Sequence, residues 1–202
     1  MTRIRKEPVE RRQELMDIAL ELFCAQGYTK TMVQDICRRA GIAKGTFFYH
    51  FPSKEDVLRA IFERWARNFL SEYERQSERL DATAGLSLFL KLFGEGNSMD
   101  ELMDKLSEEK QYDVMQQMWT KCASEQFAPV LKELFIRGTE EGTMAVEHLD
   151  ECLQFFWAIL DAMYPTDQPD GFVYEHDEVR DTMAIRLFET LLGIKKGSLR
   201  LN

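Results

Sequence analysis

Long apolar runs and strand-like alternation are both missing from this 202-residue chain. Its longest purely apolar run is the six-residue stretch Phe155–Leu160, whereas a membrane helix needs about 20 such residues. The N-terminus is also too charged to be a secretory signal. We therefore expect a cytoplasmic protein that does not span a membrane.

Cysteine and histidine are scarce, and neither forms a reactive pattern. The four cysteines, Cys24, Cys37, Cys122 and Cys152, are scattered without a C-x-x-C pair and fall mostly on apolar helical faces. This spacing favours reduced core thiols over disulfides or a metal site. The three histidines (50, 148 and 176) accompany no nucleophile-elbow serine and no phosphate-binding glycine loop. The sequence predicts neither an enzyme nor a cofactor.

Charge is unevenly divided along the chain. The net charge of −9 would discourage contact with nucleic acid, but residues 1–67 hold 13 Lys/Arg against 9 Asp/Glu, a balance of +4. The remainder, with 13 basic and 26 acidic residues, carries −13. A basic N-terminal part is consistent with phosphate binding, whereas the acidic part is not.

Apolar residues recur at helical spacing almost throughout, which predicts an all-α protein. We expect one helical domain over residues 1–67, with a helix-turn-helix at about 31–50, and a second, larger helical domain over 68–202. The predicted helices are 9–26, 31–40, 43–49, one from Ser53, 82–94, 98–109, 112–124, 126–141, 146–164 and 176–193. Breaks are expected at Gly27, Gly41, Pro129, Gly142 and the loop 165–171.

Capping boxes mark two of the early helices. Thr31 with Gln34, and Ser53 with Asp56, each have the spacing in which a hydroxyl caps a backbone amide and the later side chain reaches back. Pro52 prevents the short third helix from continuing. Two short helices joined by a glycine turn and braced by longer ones predict a helix-turn-helix.

The stretch AKGTFFYHF, residues 43–51, has the chemistry that a DNA-facing helix needs. Gly45 permits close approach, Lys44 and Thr46 beside it can reach base edges or phosphates, and Tyr49 and His50 can donate to phosphates. Phe47 and Phe51 are interpreted as core anchors, because so short a helix cannot persist alone. Lys54 in a first helical turn suggests a phosphate docked there. Arg39 is a further phosphate candidate, although a solvated role is equally open to it.

The segment from Gly27 to Glu55, with Thr31, Val33, Ile36, Ala40-Gly41-Ile42 and the AKGTFFYHF run, resembles the DNA-binding domain of the tetracycline repressor family of bacterial transcription regulators. The resemblance covers roughly residues 9–65. It implies a homodimeric repressor on double-stranded DNA, controlled by a small molecule. Residues 1–67 would then form the DNA-binding domain, and residues 68–202 the ligand-binding and dimerisation domain. The implied DNA contacts are Lys44, Gly45, Thr46, Phe48, Tyr49, His50 and Lys54, with others from Thr31 through Gln34. Three positions depart from the family pattern: Phe48 for tyrosine, Ala43 for serine and Cys37 for alanine.

The last two predicted helices are apolar over wide arcs, so each needs cover on more than one side. The expected dimer contacts are Phe156, Leu160, Met183, Leu187, Phe188 and Leu191. An apolar or cationic effector is expected at Phe89, Met103, Met115, Met118, Trp119, Cys122 and Trp157, although ordinary core packing is an alternative for each. A partner protein in place of the small ligand is also open.

Overall fold

The computed structural model describes residues 7–95, 98–163 and 178–200. Within those ranges the regular elements are helices, which confirms the all-α prediction. They are α1 (Pro8–Gln26), α2 (Val33–Ala40), α3 (Lys44–His50), α4 (Lys54–Ser77), α5 (Ala82–Gly94), α6 (Ser98–Glu108), α7 (Tyr112–Cys122), α8 (Ala128–Glu140), α9 (Leu149–Met163) and α10 (Glu178–Leu191). In the described parts of the chain, no helix is both long and apolar enough to cross a membrane.

The chain forms two compact units. The N-terminal unit combines residues up to Trp65 with a second stretch ending at Trp119, so it contains α6 and most of α7 as well as α1–α3. The C-terminal unit takes Ala66–Glu95 and the chain from Thr120 onward. The domain boundary at residue 67 stays a prediction. The N-terminal unit, however, also includes residues 96–119, which the sequence analysis assigned to the second domain.

In the N-terminal unit, α1 packs against α2, α3 and α6 through an apolar stripe that includes Leu15, Ala19 and Phe23. The predicted glycine stops are confirmed: Gly27 has φ +95° after α1, and Gly41 has φ +64° after α2. Both values lie where glycine is favoured over residues with a Cβ.

The hydroxyl cap predicted at Ser53 is confirmed, because Ser53 Oγ accepts the Asp56 N–H at 3.1 Å. The Asp56 carboxylate reaches back to the same hydroxyl, which donates to Oδ2 at 2.7 Å. The Thr31 box is wrong. Helix α2 begins one residue later than predicted for such a cap, and Asp35 Oδ2 accepts the Met32 N–H at 2.9 Å. Thr31 is buried instead, and its hydroxyl donates back to the Gly27 carbonyl at 2.7 Å.

The C-terminal unit has an aromatic interior. Phe89, Phe127, Phe135, Phe156 and Phe188 are fully buried, and α8 packs against α5 and α9, while α9 packs against α10. Helix α8 carries Pro129 in its first turn as predicted, but a five-residue π segment, Ala123–Phe127, precedes it with no intervening loop. Helix α9 starts at Leu149, later than the predicted 146. The predicted loop 165–171 and His176 lie outside the described residues.

Candidate nucleic-acid interface

The N-terminal turn of α3 presents Lys44, Gly45 and Thr46, all exposed. A Cβ placed on Gly45 would meet nothing within 4 Å, so the glycine leaves open space in front of the helix. Ala43 is the N-cap residue and has no side-chain acceptor, so no side chain caps this helix start. The free amides and the missing side chain together allow an incoming phosphate or base edge to approach closely.

Two phenylalanines hold α3 from behind. Phe47 and Phe51 are each 0% exposed, and their ring centroids lie 6.0 Å apart. A seven-residue helix is unstable alone, so this burial is what keeps α3 folded. The core role predicted for both rings is confirmed.

Phe48 and Tyr49 lie on the outer side of α3. Phe48 is 49% exposed, with its ring set edge-on to Phe47 at 5.5 Å, and Tyr49 is 77% exposed. Exposed aromatic side chains on a short helix have no packing role that would explain them. Their position fits contact with a partner molecule, the tyrosine hydroxyl being a possible phosphate donor.

His50 closes the helix, and its ring lies 5.0 Å from that of Tyr49. Partial burial, aided by the nearby Arg12 and Arg11, lowers the pKa of His50 below its ordinary value. The imidazole is therefore neutral at pH 7 in the free protein, and it becomes a better phosphate donor only when it gains a proton.

The Lys54 ammonium group binds backbone carbonyls of its own chain, whereas the sequence predicted a phosphate contact. Its Nζ donates to the carbonyl oxygens of Tyr28 at 2.6 Å and Thr31 at 2.9 Å, and it lies 4.1 Å from the Tyr28 ring centroid. Burial lowers the pKa of Lys54. The ammonium group thus fastens the α1–α2 turn from inside, a role that the sequence could not indicate because its partners lie more than 20 residues away.

The remaining predicted contacts on α2 differ in exposure. Gln34 is exposed, whereas Thr31 is 1% exposed and its side chain is unavailable to DNA. Arg39 is exposed and pairs with Glu21 at 3.1 Å, a surface ion pair weak enough to be exchanged for a phosphate. Met32, which falls within the predicted range from Thr31 through Gln34, is 68% exposed beside the start of α2.

The predicted ligand residues belong to different units. Met103, Met115, Met118 and Trp119 lie in the N-terminal unit, whereas Phe89, Cys122 and Trp157 lie in the C-terminal unit. Met115, Met118, Phe89 and Cys122 are buried, and the others are half-buried. An open depression on the N-terminal unit is lined by residues of α1 and by Arg39, and none of the predicted ligand residues lines it.

The predicted dimer residues need correction. Phe156, Leu160 and Phe188 are almost completely buried within the chain, and the rings of Phe156 and Phe188 lie 4.8 Å apart. They have no surface left for a partner. Met183 and Leu187 of α10 are 58% and 52% exposed, Leu191 is half-buried, and Phe155 on α9 is 60% exposed. The sequence analysis expected Phe156 to contact a partner, but the exposed residue of this pair is Phe155.

A short exposed helix after a glycine turn, anchored on longer helices, defines a helix-turn-helix DNA-binding domain. A family described as "Bacterial regulatory proteins, tetR family" matches residues 15–61. This part of the chain thus matches the tetR family, in agreement with the resemblance predicted from its sequence.

Known relatives agree. Over 118 residues the chain is 28% identical to the transcriptional regulator AcrR of Shigella flexneri, covering 58% of this chain and 52% of AcrR. Over 77 residues it is 39% identical to the repressor KstR2 of Rhodococcus jostii, covering 38% of each. The chain thus spans about half, or less, of these relatives. They are regulators and not enzymes, as predicted.

Solved structures share the fold over most of the chain. A transcriptional regulator from Saccharomonospora viridis, determined in complex with choline, has a TM-score of 0.64 at 18% identity and covers 93% of this chain and 100% of its own. At that identity the likeness establishes the fold. The larger C-terminal helical domain therefore has the architecture of tetR-family structures.

Proposed function

We propose that this chain is a sequence-specific, DNA-binding transcriptional repressor that acts as a homodimer in the cytoplasm. The observation that carries the proposal is the N-terminal turn of α3, where Lys44, Gly45 and Thr46 stand exposed on a helix anchored by Phe47 and Phe51. Such a helix can enter the major groove, where the lysine recognises guanine edges or phosphates and the threonine recognises phosphates or thymine methyl groups.

The proposed DNA contacts follow from exposure. They are the exposed residues Met32, Gln34, Arg39, Lys44, Gly45, Thr46, Phe48 and Tyr49, with the half-buried His50. Thr31 and Lys54 are removed from the set as direct contacts, because their side-chain polar groups bind backbone carbonyls of the protein. In a dimer the two α3 helices would lie about 34 Å apart over a near-palindromic operator.

The proposed dimer surface is formed by exposed apolar residues of α9 and α10, namely Phe155, Met183 and Leu187, with half-buried Leu191. Large apolar side chains that are more than half exposed are typical of an interface. Met183 and Leu187 are one helical turn apart and so share a face of α10.

The proposed effector is a small apolar or cationic molecule bound in the C-terminal unit. Its support is the set of rings formed by Phe69, Phe89, Phe93, Phe127 and Trp157, with successive centroids 5.0–6.4 Å apart. Aromatic faces attract cations as well as apolar groups. The choline held by the structural neighbour has this chemistry. A coupling of about 1–3 kcal/mol between effector and operator would be sufficient for regulation.

A second candidate is a DNA-bound protein controlled by a partner protein. The observation in its favour is the complete burial of Phe89 and Phe127, whose rings already occupy the aromatic interior. Thermal unfolding with choline and with long-chain acyl compounds separates the two candidates. A concentration-dependent rise in the unfolding midpoint supports a small effector, and a midpoint that none of these compounds moves favours the partner protein.

DNA binding itself is tested by selection from a random-sequence duplex library. The full chain should enrich one near-palindromic sequence, and fluorescence anisotropy should show tighter binding to that duplex than to a scrambled one. Enrichment of no sequence over several rounds would contradict the proposal.

A further inference from the structure

The corner between α6 and α7 contacts the turn that precedes α2. Glu109 directly follows α6, and its Oε2 accepts the backbone N–H of Thr29 at 2.9 Å. Thr29 lies between α1 and α2, 80 residues earlier in the chain. A segment far outside the helix-turn-helix therefore binds the turn from which that motif begins.

Gly27 provides the space that this carboxylate occupies. A Cβ at Gly27 would lie 2.1 Å from Glu109 Oε1, a separation that no side chain tolerates without a shift. The φ of +95° at Gly27 also disfavours any other residue. The glycine thus serves two purposes, since it ends α1 and admits Glu109.

The backbone of the corner is itself held in an uncommon conformation. Among the described residues, Lys110 is the non-glycine residue with positive φ, at 56°. Its N–H donates to the Ser107 carbonyl at 2.8 Å, and the Gln111 N–H donates to the Leu106 carbonyl at 2.8 Å. These bonds hold the corner tightly, and a left-handed residue of this kind persists only where its surroundings fix it.

Other side chains secure the same turn. Lys54 Nζ binds the carbonyls of Tyr28 and Thr31, and the Thr31 hydroxyl binds that of Gly27. The Lys54 ammonium group and the Thr31 hydroxyl donate hydrogen bonds to carbonyl oxygens of the turn, whereas Glu109 accepts one from the Thr29 N–H. Glu109 also favours the charged form of Lys54 through its own negative charge. The turn is therefore held by an ammonium group that binds two of its carbonyls and by a carboxylate that binds one of its amides.

We propose that Glu109 is a positioning residue for DNA binding, which fixes the α1–α2 turn and through it the start of α2 and its exposed residues. The inference rests on the proposed function, because it concerns how the DNA-facing surface is held. It assigns to the α6–α7 corner a role in operator affinity although the corner touches none of the proposed DNA contacts.

Three variants of the full chain test the role. Glu109→Ala removes the acceptor, Glu109→Gln keeps an oxygen that can accept the same N–H, and Glu108→Ala is the control. Glu108 is the neighbouring acid, with a 63% exposed side chain that pairs with Lys105 at 2.6 Å. Affinity is measured on the duplex selected by the wild type, together with hydrogen exchange at the Thr29 amide and the midpoint of thermal unfolding.

Glu109→Ala should bind the selected duplex about tenfold more weakly, the size of effect expected when a hydrogen bond to a charged group is lost. Its Thr29 amide should exchange faster, while Glu109→Gln and Glu108→Ala stay within about twofold of wild type. Wild-type affinity in Glu109→Ala overturns the inference and leaves the proposed function intact. A loss that Glu109→Gln shares in full, or that follows a lower unfolding midpoint, also overturns it. If the wild type itself does not distinguish selected from scrambled DNA, the proposed function fails and the inference with it.

Discussion

Arg12 of α1 closes the C-terminal end of α3 by donating from Nη1 to the main-chain oxygen of His50 at 2.8 Å. The same guanidinium group lies 4.1 Å from the centroid of the Phe51 ring. The last carbonyls of a helix lack intrahelical donors and carry partial negative charge, so a cation there stabilises the helix. Arg12 therefore holds the helix that we propose to face DNA.

Replacing Arg12 with alanine should lower the free energy of unfolding by about 1–3 kcal/mol, because a half-buried carbonyl loses a charged donor and a ring loses its cation. Urea denaturation measures the change. Arg38→Ala is the control, since Arg38 is 73% exposed and pairs only locally with Asp35. Its effect should stay below about 0.5 kcal/mol. Equal effects from the two variants would refute the closing role of Arg12.

Replacing Lys54 with methionine separates a structural role from a phosphate contact. Since Lys54 Nζ binds two backbone carbonyls, the variant should lose about 1–3 kcal/mol of stability. The slope of log affinity against log salt should remain that of the wild type, because no phosphate charge is neutralised. A slope reduced by about 1 would instead restore the phosphate contact predicted from the sequence.

His50 should make DNA affinity depend on pH. Burial and the neighbouring Arg12 and Arg11 lower its pKa in the free protein, whereas a phosphate beside it in the complex would raise that pKa. Binding then takes up a proton, so affinity rises as pH falls through the pKa of the complex and levels off below the lowered pKa of the free protein. Anisotropy between pH 8 and pH 5.5 measures this rise, and His50→Gln should abolish it. An identical rise in His50→Gln would remove this residue from the interface.

Association should depend on the exposed face of α10 and not on its buried one. Leu187→Lys places a charge on a residue that is 52% exposed, so the chain should remain folded and sediment as a monomer. Phe188→Ala empties a fully buried position and should cost about 3–5 kcal/mol of stability without directly altering the dimer surface. A dimeric Leu187→Lys protein would show that the partner binds elsewhere.

Helical periodicity was sufficient to predict the all-α fold and most helix bounds, because apolar spacing, glycine stops and proline positions are local signals. The anchoring of Phe47 and Phe51 was predictable for the same reason. The π segment Ala123–Phe127 was not, since one additional residue per turn leaves little trace in the spacing of apolar residues.

The roles of individual polar side chains were less predictable, because they depend on partners brought near by folding. Lys54 reaches the carbonyl of Tyr28, and Glu109 reaches the amide of Thr29, through contacts 26 and 80 residues apart in sequence. Likewise, Phe155 and Phe156 are equally apolar, and the packing of α9 against rings of α5, α8 and α10 decides which one is buried.

The most direct test of the account compares the affinity of wild type and Lys44→Ala for the selected duplex and for a scrambled duplex at one salt concentration. The exposed lysine at the start of α3 is proposed to recognise sequence, so its loss should reduce the preference for the selected duplex by about 1–3 kcal/mol. Affinity for scrambled DNA should change far less. A Lys44→Ala protein with the full wild-type preference would contradict recognition of DNA sequence by this turn of α3.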